Sequence, residues 1–127
     1  MNLSKIDIAW IAGILEGEGC FMIYTRESKF NNRWKPSSSP IVCLRMTDTD
    51  VVDRVGMLLG KEADRYSHYH NISRGYKKAY RLRLVGPKAI GLMMTIYSFM
   101  GIRRRAKIKE IITEWKNGFP ISKSKVA

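Results

Sequence analysis

The chain has 127 residues, 45% of them hydrophobic, which is enough for a single domain with a real core. Its 23 basic and 11 acidic residues give a net charge of +12, so we expect a polyanionic partner. No apolar run reaches the ~18 residues of a membrane span, and no signal peptide is visible at the N-terminus. We therefore expect a soluble, intracellular protein with no membrane partner.

The first predicted element is a helix that begins after Ser4. Ser4 and Asp7 have the spacing of a capping box. A ridge of small residues then recurs on one helical face, made of Ala9, Gly13 and Gly17 with Ala12 beside them. Glycine in a helix interior costs roughly 1 kcal/mol relative to alanine. The ridge therefore predicts a close helix contact, either inside one core or against a second subunit.

Two acids, Glu16 and Glu18, stand at the end of this helix and are interleaved with glycines. Solvated acids at a frayed helix end are one interpretation. If two such helices pack as a symmetric pair, however, Glu18 and its mate come close to the two-fold axis. Like charges held close together are costly, and a divalent cation with oxygen ligands relieves that cost.

Two strands follow, because apolar and polar residues alternate over Gly19–Arg26 and again over Ile41–Met46. Lys29–Ser39, which lies between them, is polar and basic and leads into Pro36-Ser-Ser-Ser-Pro40, so we predict an exposed hairpin tip. Its basic side chains suit contact with a nucleic-acid backbone, although a solvated loop is equally consistent. Cys20 and Cys43 lack metal-site spacing, so we expect reduced, partly buried strand residues.

Residues 47–50 open a second helix, which we expect to run to about Leu59 and to end at Gly60. Asp48 lies at its start. An acid in the first turn is stabilised by the helix dipole and needs no other purpose.

The next segment carries the excess charge, because no acidic residue occurs between Asp64 and Glu110. Residues 64–72 and 77–85 are predicted to form a second hairpin, in which Arg81 and Arg83 alternate with apolar residues. His68 and His70 share a strand face, which permits a metal site. With no third ligand nearby in sequence, a surface or nucleic-acid-facing role is favoured.

Gly86-Pro87 begins a helix that is apolar nearly all round, ends at Gly101 and should lie in the core. A last helix, Ala106–Trp115, is preceded by Arg103, Arg104 and Arg105. Cations at a helix N-terminus are disfavoured by the dipole, so an anion is expected beside them. Residues 121–127 form a tail that we expect to be weakly ordered.

Residues 11–19, Ile-Ala-Gly-Ile-Leu-Glu-Gly-Glu-Gly, resemble the LAGLIDADG motif of homing endonucleases, with Glu at both acidic positions. The element order also resembles that family. The resemblance implies an α+β fold, α-β-β-α-β-β-α(-α), as one domain over residues 1–120, with a four-stranded antiparallel sheet per subunit. With one motif copy, it implies a homodimer that binds double-stranded DNA.

The resemblance further implies a site-specific DNA endonuclease of intron homing that makes a staggered double-strand break at a long near-palindromic target. Mg²⁺ or Mn²⁺ would be held by Glu18 of each subunit with the backbone carbonyl of Gly17, and no small-molecule cofactor is expected. Asp48 would order the attacking water, and Arg103 and Arg104 would neutralise transition-state charge. The family also contains intron maturases, and a DNA-binding regulator that no longer cleaves is a third alternative.

The strand faces and the resemblance together predict the contact residues. The helix residues expected at the dimer interface are Ala9, Ala12, Gly13, Glu16 and Gly17, with Glu16 satisfying backbone groups around the helix end rather than binding metal. The residues expected to contact DNA are Tyr24, Arg26, Ser28, Lys29, Arg33, Lys35, Arg45, Arg65, His68, Arg74, Lys77, Lys78, Arg81 and Arg83.

Overall fold

The structure is a computed structural model that describes residues 3–30, 33–61, 64–66 and 79–118. In these ranges lie four α-helices: α1 (Lys5–Glu18), α2 (Thr49–Leu59), α3 (Pro87–Ile96) and α4 (Ile102–Lys116), with a short 3₁₀ turn (Tyr97–Phe99) after α3. Its strands are β1 (Gly19–Phe30), β2 (Arg33–Met46), β3 (Asp64–Tyr66) and β4 (Ala79–Val85).

The strands form one antiparallel sheet in the order β1-β2-β4-β3. Three long strands make its body, and the three-residue β3 pairs with the outer side of β4. The α+β class is therefore confirmed. Most of the predicted strand 64–72 lies outside the described residues, so a fourth strand of full length stays a prediction.

The predicted helix signals at α1 and α2 are confirmed. The backbone N–H of Asp7 donates to the Ser4 hydroxyl at 3.1 Å, which caps α1. Gly60 ends α2 with φ of 69°, a left-handed conformation that glycine adopts without strain. In the part of the chain that the structure describes, no helix has the length and apolar character needed to cross a bilayer.

The strands of the first hairpin are longer than predicted, because β1 and β2 include most of Lys29–Ser39, where we expected an exposed hairpin tip. β1 and β2 pair continuously from Gly19↔Leu44 to Phe30↔Arg33. The prolines suggested a loop because proline cannot donate to a sheet ladder. Among the described residues, β4 pairs with β2 only along Ile41–Met46, and no strand in these ranges pairs with the other side of the preceding part of β2, where proline is tolerated.

The core lies between one face of the sheet and the helices, and the predicted strand alternation is confirmed. The sheet contributes Phe21, Val42, Leu44, Leu82 and Leu84 to this buried cluster, and every helix adds apolar residues to it. The third helix is less buried than predicted: α3 ends at Ile96, and the side chains of Met94 and Phe99 are exposed.

Replacing Gly56 of α2 with alanine should destabilise the protein, although helix propensity alone predicts stabilisation. A Cβ added there would collide with the backbone carbonyl oxygen of Lys61, whose N–H donates to the Gly56 carbonyl at 2.8 Å. We expect Gly56→Ala to lower the free energy of unfolding by about 1–3 kcal/mol, because overpacking outweighs the ~1 kcal/mol propensity gain. Urea denaturation measures the change.

Gly91→Ala in α3 is the matched control, because a Cβ added at Gly91 meets nothing within 4 Å. This variant should be neutral or stabilised by up to about 1 kcal/mol. Equal stabilisation in both variants would contradict the close approach at Gly56.

Candidate nucleic-acid interface and catalytic centre

The face of the sheet turned away from the helices is a basic concave surface, which we call the outer face. Its depression of about 460 Å³ is lined by Glu18 at the end of α1 and by Cys20, Met22, Tyr24, Ile41, Cys43, Arg45, Arg81 and Arg83. Four of the predicted contact residues therefore share one surface: Tyr24, Arg45, Arg81 and Arg83. The alternation of the strands brings them there, because the residues between them point into the core.

The cross-strand register concentrates positive charge at one end of the outer face. Arg45 of β2 pairs directly with Arg81 of β4, and Arg83 is opposite Cys43 in the neighbouring row of the same face. Like charges on directly opposed residues destabilise a sheet. An arrangement of this kind is favourable when a polyanion lies along the strands.

Glu18 lies at this same end of the sheet. It immediately precedes Gly19, which pairs with Leu44, one residue from Arg45. Glu18 is exposed, and its carboxylate forms no hydrogen bond or ion pair among the described residues. An acid that faces a depression containing three arginines is available for a ligand.

Asp48 occupies the N-cap position of α2, two residues after β2 ends. It is exposed, and its side chain does not cap the helix, although its carbonyl accepts the N–H groups of Val51 and Val52. Its carboxylate accepts no N-cap hydrogen bond, so stabilisation by the helix dipole is the structural role that it retains at this position.

Cys20 and Cys43 are free thiols in paired positions on β1 and β2. Burial raises the pKa of the Cys43 thiol, while the nearby charge of Arg81 acts in the opposite direction. With its pKa raised, Cys43 adds no negative charge to the outer face near neutral pH.

A second depression, of about 390 Å³, adjoins the outer face between β1 and the start of α4. Cys20 lines both depressions, and Phe21, Arg103, Arg104 and Lys107 contribute to the second. Arg103 is exposed there. Arg104 instead has only 14% of its side chain exposed, and its Nε lies 3.5 Å from Glu16 Oε2.

The ridge of small residues on α1 faces outward. Ala9, Gly13 and Gly17 are exposed, and a Cβ added at either glycine meets nothing within 4 Å. Ala12 differs, because it is buried in the core of the chain. Packing against the described residues of this chain therefore does not explain Gly13 and Gly17.

Gly19, unlike Gly13 and Gly17, is closely packed within the chain. A Cβ added at Gly19 would lie 2.6 Å from the carbonyl oxygen of Leu15, and the Gly19 N–H donates to that same oxygen. The last glycine of the motif is thus required by the turn from α1 into β1 within one chain.

The structure describes the other predicted contact residues only in part. Arg26, Ser28, Lys29, Arg33, Lys35 and Arg65 lie in strands whose side chains the structure does not describe at those positions, and His68, Arg74, Lys77 and Lys78 fall outside the described residues, as does the tail 121–127. Their contacts with DNA stay predictions.

Sequence reasoning missed one contact, between Glu16 and the start of α4. The Gly101 N–H donates to Glu16 Oε1 at 2.6 Å across 85 positions of sequence. Two features of the sequence were relevant: Glu16 has no partner nearby in sequence, and the first turn of α4 contains arginines but no acid. Nothing in the sequence near either feature indicates that they meet.

Comparison with known proteins finds similarity at the level of structure. Neither models of protein families nor curated protein sequences match this chain. Solved structures do: the homing endonuclease I-CvuI in complex with its target has a TM-score of 0.65 at 12% identity, covering 89% of this chain and 68% of that one. The archaeal intron-encoded homing endonuclease I-Vdi141I complexed with DNA has a TM-score of 0.62 at 18% identity, covering 89% and 70%.

A third similar structure is larger. The LAGLIDADG meganuclease I-CpaMI bound to uncleaved DNA has a TM-score of 0.61 at 17% identity, and the match covers 87% of this chain but 37% of that one. The resemblance of residues 11–19 is supported by these neighbours, and the chain has the fold of LAGLIDADG homing endonucleases.

Proposed function

We propose that this chain is a subunit of a homodimeric LAGLIDADG homing endonuclease, which makes a metal-dependent staggered double-strand break at a long near-palindromic DNA target. One observation carries the proposal: the carboxylate of Glu18 is exposed at the end of a concave sheet face that contains three arginines. The fold and the motif at residues 11–19 support the same function.

DNA would lie along the outer face. Arg45, Arg81 and Arg83 sit on neighbouring strands of that face, where guanidinium groups can donate two hydrogen bonds to guanine or contact phosphates. The predicted lysines of the first hairpin would contact phosphates and contribute affinity more than sequence preference. The outer face is long enough along its strands for several base pairs, because β1 and β2 form twelve consecutive residue pairs.

The donor set at Glu18 fits half of a magnesium site. A carboxylate and the carbonyl oxygens at a helix end are the hard oxygen donors that Mg²⁺ prefers. Among the described residues, however, no group of three or more His, Cys, Asp or Glu side chains comes together. The site is complete only with a second subunit and DNA phosphates, and Gly17 and Glu18 of each subunit would then hold the ions.

The bound ions would supply an activated water and stabilise the leaving 3′ oxygen. The residues of the chain orient the other groups. Asp48, exposed and without a capping bond, would accept a hydrogen bond from the attacking water. Arg103, in the adjoining depression, would stabilise the added negative charge on the phosphoryl group during an in-line displacement.

The second subunit would pack against α1. The exposed ridge Ala9, Gly13 and Gly17 permits close approach of two helices, and Ile6 extends the same face with 80% of its surface exposed. Such packing would bring the two Glu18 carboxylates to the dimer axis, one for each DNA strand.

A cleavage selection tests this function. Purified protein is incubated with Mg²⁺ and a randomised duplex library, and broken ends are captured and sequenced. We expect breaks at one near-palindromic site, and binding that weakens steeply between 50 and 200 mM salt, about 10³-fold or more if six phosphates are neutralised.

The other outcomes identify different functions. Enrichment of one sequence without breaks would point to a DNA-binding regulator and would contradict the nuclease. Preference for a structured intron RNA over every duplex would favour a maturase. A parallel incubation with EDTA must abolish cutting, because cutting without divalent metal would refute the proposed metal dependence.

A further inference from the structure

The carboxylate of Glu16 joins two parts of the chain that are distant in sequence. Its Oε1 accepts the Gly101 N–H at 2.6 Å, and its Oε2 lies 3.5 Å from Arg104 Nε. The first contact is a strong hydrogen bond. The second is too long for one and acts as an ion pair.

The start of α4 needs such a partner. Its N-cap residue is Gly101, which has no side chain to cap the helix, and its first turn contains arginines but no acid. Both features are unfavourable at the positive end of a helix dipole. Glu16 compensates for both from another helix, because it accepts the N–H of the cap residue and places a negative charge beside Arg104.

Arg104 is held from two sides. Besides the ion pair with Glu16, its guanidinium carbon lies 5.5 Å from the centre of the Phe21 ring on β1. Gly101 makes the arrangement possible, because a Cβ at that position would lie 2.5 Å from Glu16 Oε1. Few alternative positions are open to an arginine with this degree of burial and these partners.

These contacts connect the start of α4 to the candidate catalytic centre. Glu16 precedes Glu18 by two residues on α1, and Arg104 follows Arg103, which faces the depression next to the outer face. A change at Glu16 would therefore move the basic residues of α4 relative to Glu18.

We propose that Glu16 is a positioning residue that fixes the start of α4 and the Arg104 guanidinium relative to the end of α1. Its effect on DNA cleavage rests on the proposed function. Glu16 does not touch the reacting phosphate; it acts through the placement of Arg104 and Arg103. Arg104 accordingly serves to orient the helix, and Arg103 is the residue that approaches the DNA.

A double-mutant cycle tests this role. Glu16→Gln keeps an oxygen that can accept the Gly101 N–H but removes the charge, and Arg104→Gln removes the other half of the ion pair. We expect each variant to lower the single-turnover cleavage rate by about tenfold with DNA affinity changed less than about twofold, because misplacement affects the reaction geometry and not the bound area. The double variant should cleave as fast as the slower single variant.

Glu114→Gln is the matched control, since it removes a carboxylate from α4 far from the helix start. It should cleave within about twofold of the unmodified protein. A Glu16→Gln variant that cleaves at the unmodified rate, or rate losses that multiply in the double variant, would overturn the proposal.

Hydrogen exchange in the protein without DNA separates this inference from the proposed function. Glu16→Ala should accelerate amide exchange of Gly101 and the first turn of α4 at least about tenfold, while Glu114→Gln leaves it unchanged. Should the unmodified protein cut no DNA, the proposed function fails, and exchange alone decides the positioning role. Unchanged exchange in Glu16→Ala would refute it.

Discussion

Glu18→Gln should abolish DNA cleavage while leaving specific binding intact. The substitution keeps the shape of the side chain and removes its charge, and the Glu18 side chain faces the depression that contains Arg45, Arg81 and Arg83. Loss of a carboxylate that holds a divalent ion costs several kcal/mol in the transition state. We therefore expect the single-turnover cleavage rate to fall at least about a thousandfold.

DNA affinity should change by less than about threefold, because phosphate contacts of the basic side chains supply most of it and Glu18 supplies none. Gel-shift titration measures affinity, and quenched-flow assays in Mg²⁺ measure the rate. Glu114→Gln again serves as the matched carboxamide control. If Glu18→Gln cuts DNA normally, Glu18 has no catalytic role and the proposed centre is wrong.

Gly13→Leu should separate the two subunits without unfolding either one. Among the described residues of one chain, nothing lies within 4 Å of a Cβ at the exposed Gly13, so a side chain can begin there without a clash, and leucine is a better helix former than glycine. Across a close helix pair, the same side chain would fill the space that the glycine leaves for the partner backbone. We expect the dimer dissociation constant to rise at least about a hundredfold, equivalent to about 2.7 kcal/mol.

Analytical ultracentrifugation over a range of protein concentrations measures dissociation, and circular dichroism checks that the monomer is folded. Double-strand cleavage should be lost together with the dimer, since each subunit supplies one Glu18. Gly91→Leu is the control, because Gly91 is also a helix glycine with open space around its built Cβ. An unmodified protein that is monomeric at every concentration, or a Gly13→Leu variant that remains dimeric, would refute the proposed interface.

Local patterns were sufficient to predict most of the elements. The Ser4 cap and the Gly60 stop act on the residues next to them, so their effects are readable from spacing alone. Apolar alternation in Ile41–Met46 likewise predicted which strand residues lie in the core and which lie on the outer face.

The first hairpin shows where local signals fail. The segment Pro36-Ser-Ser-Ser-Pro40 has low strand propensity, yet β1 pairs with β2 along its whole length. The stabilising hydrogen bonds come from a partner strand, and proline costs less here because no strand in the described part of the chain pairs with the other side of β2 before Ile41. Both facts depend on which strand lies beside which.

The sequence by itself determined the motif at residues 11–19, the charge asymmetry, the start of α1 at Ser4 and the end of α2 at Gly60, because each can be recognised without knowing which parts of the chain come together. Only the tertiary structure decided that Glu16 holds Gly101 from 85 positions away, that Ala12 is buried, and that Gly13 and Gly17 face outward. Helical spacing places residues on a common face but does not say what that face meets, because the energy of a contact depends on the partner that folding brings to it.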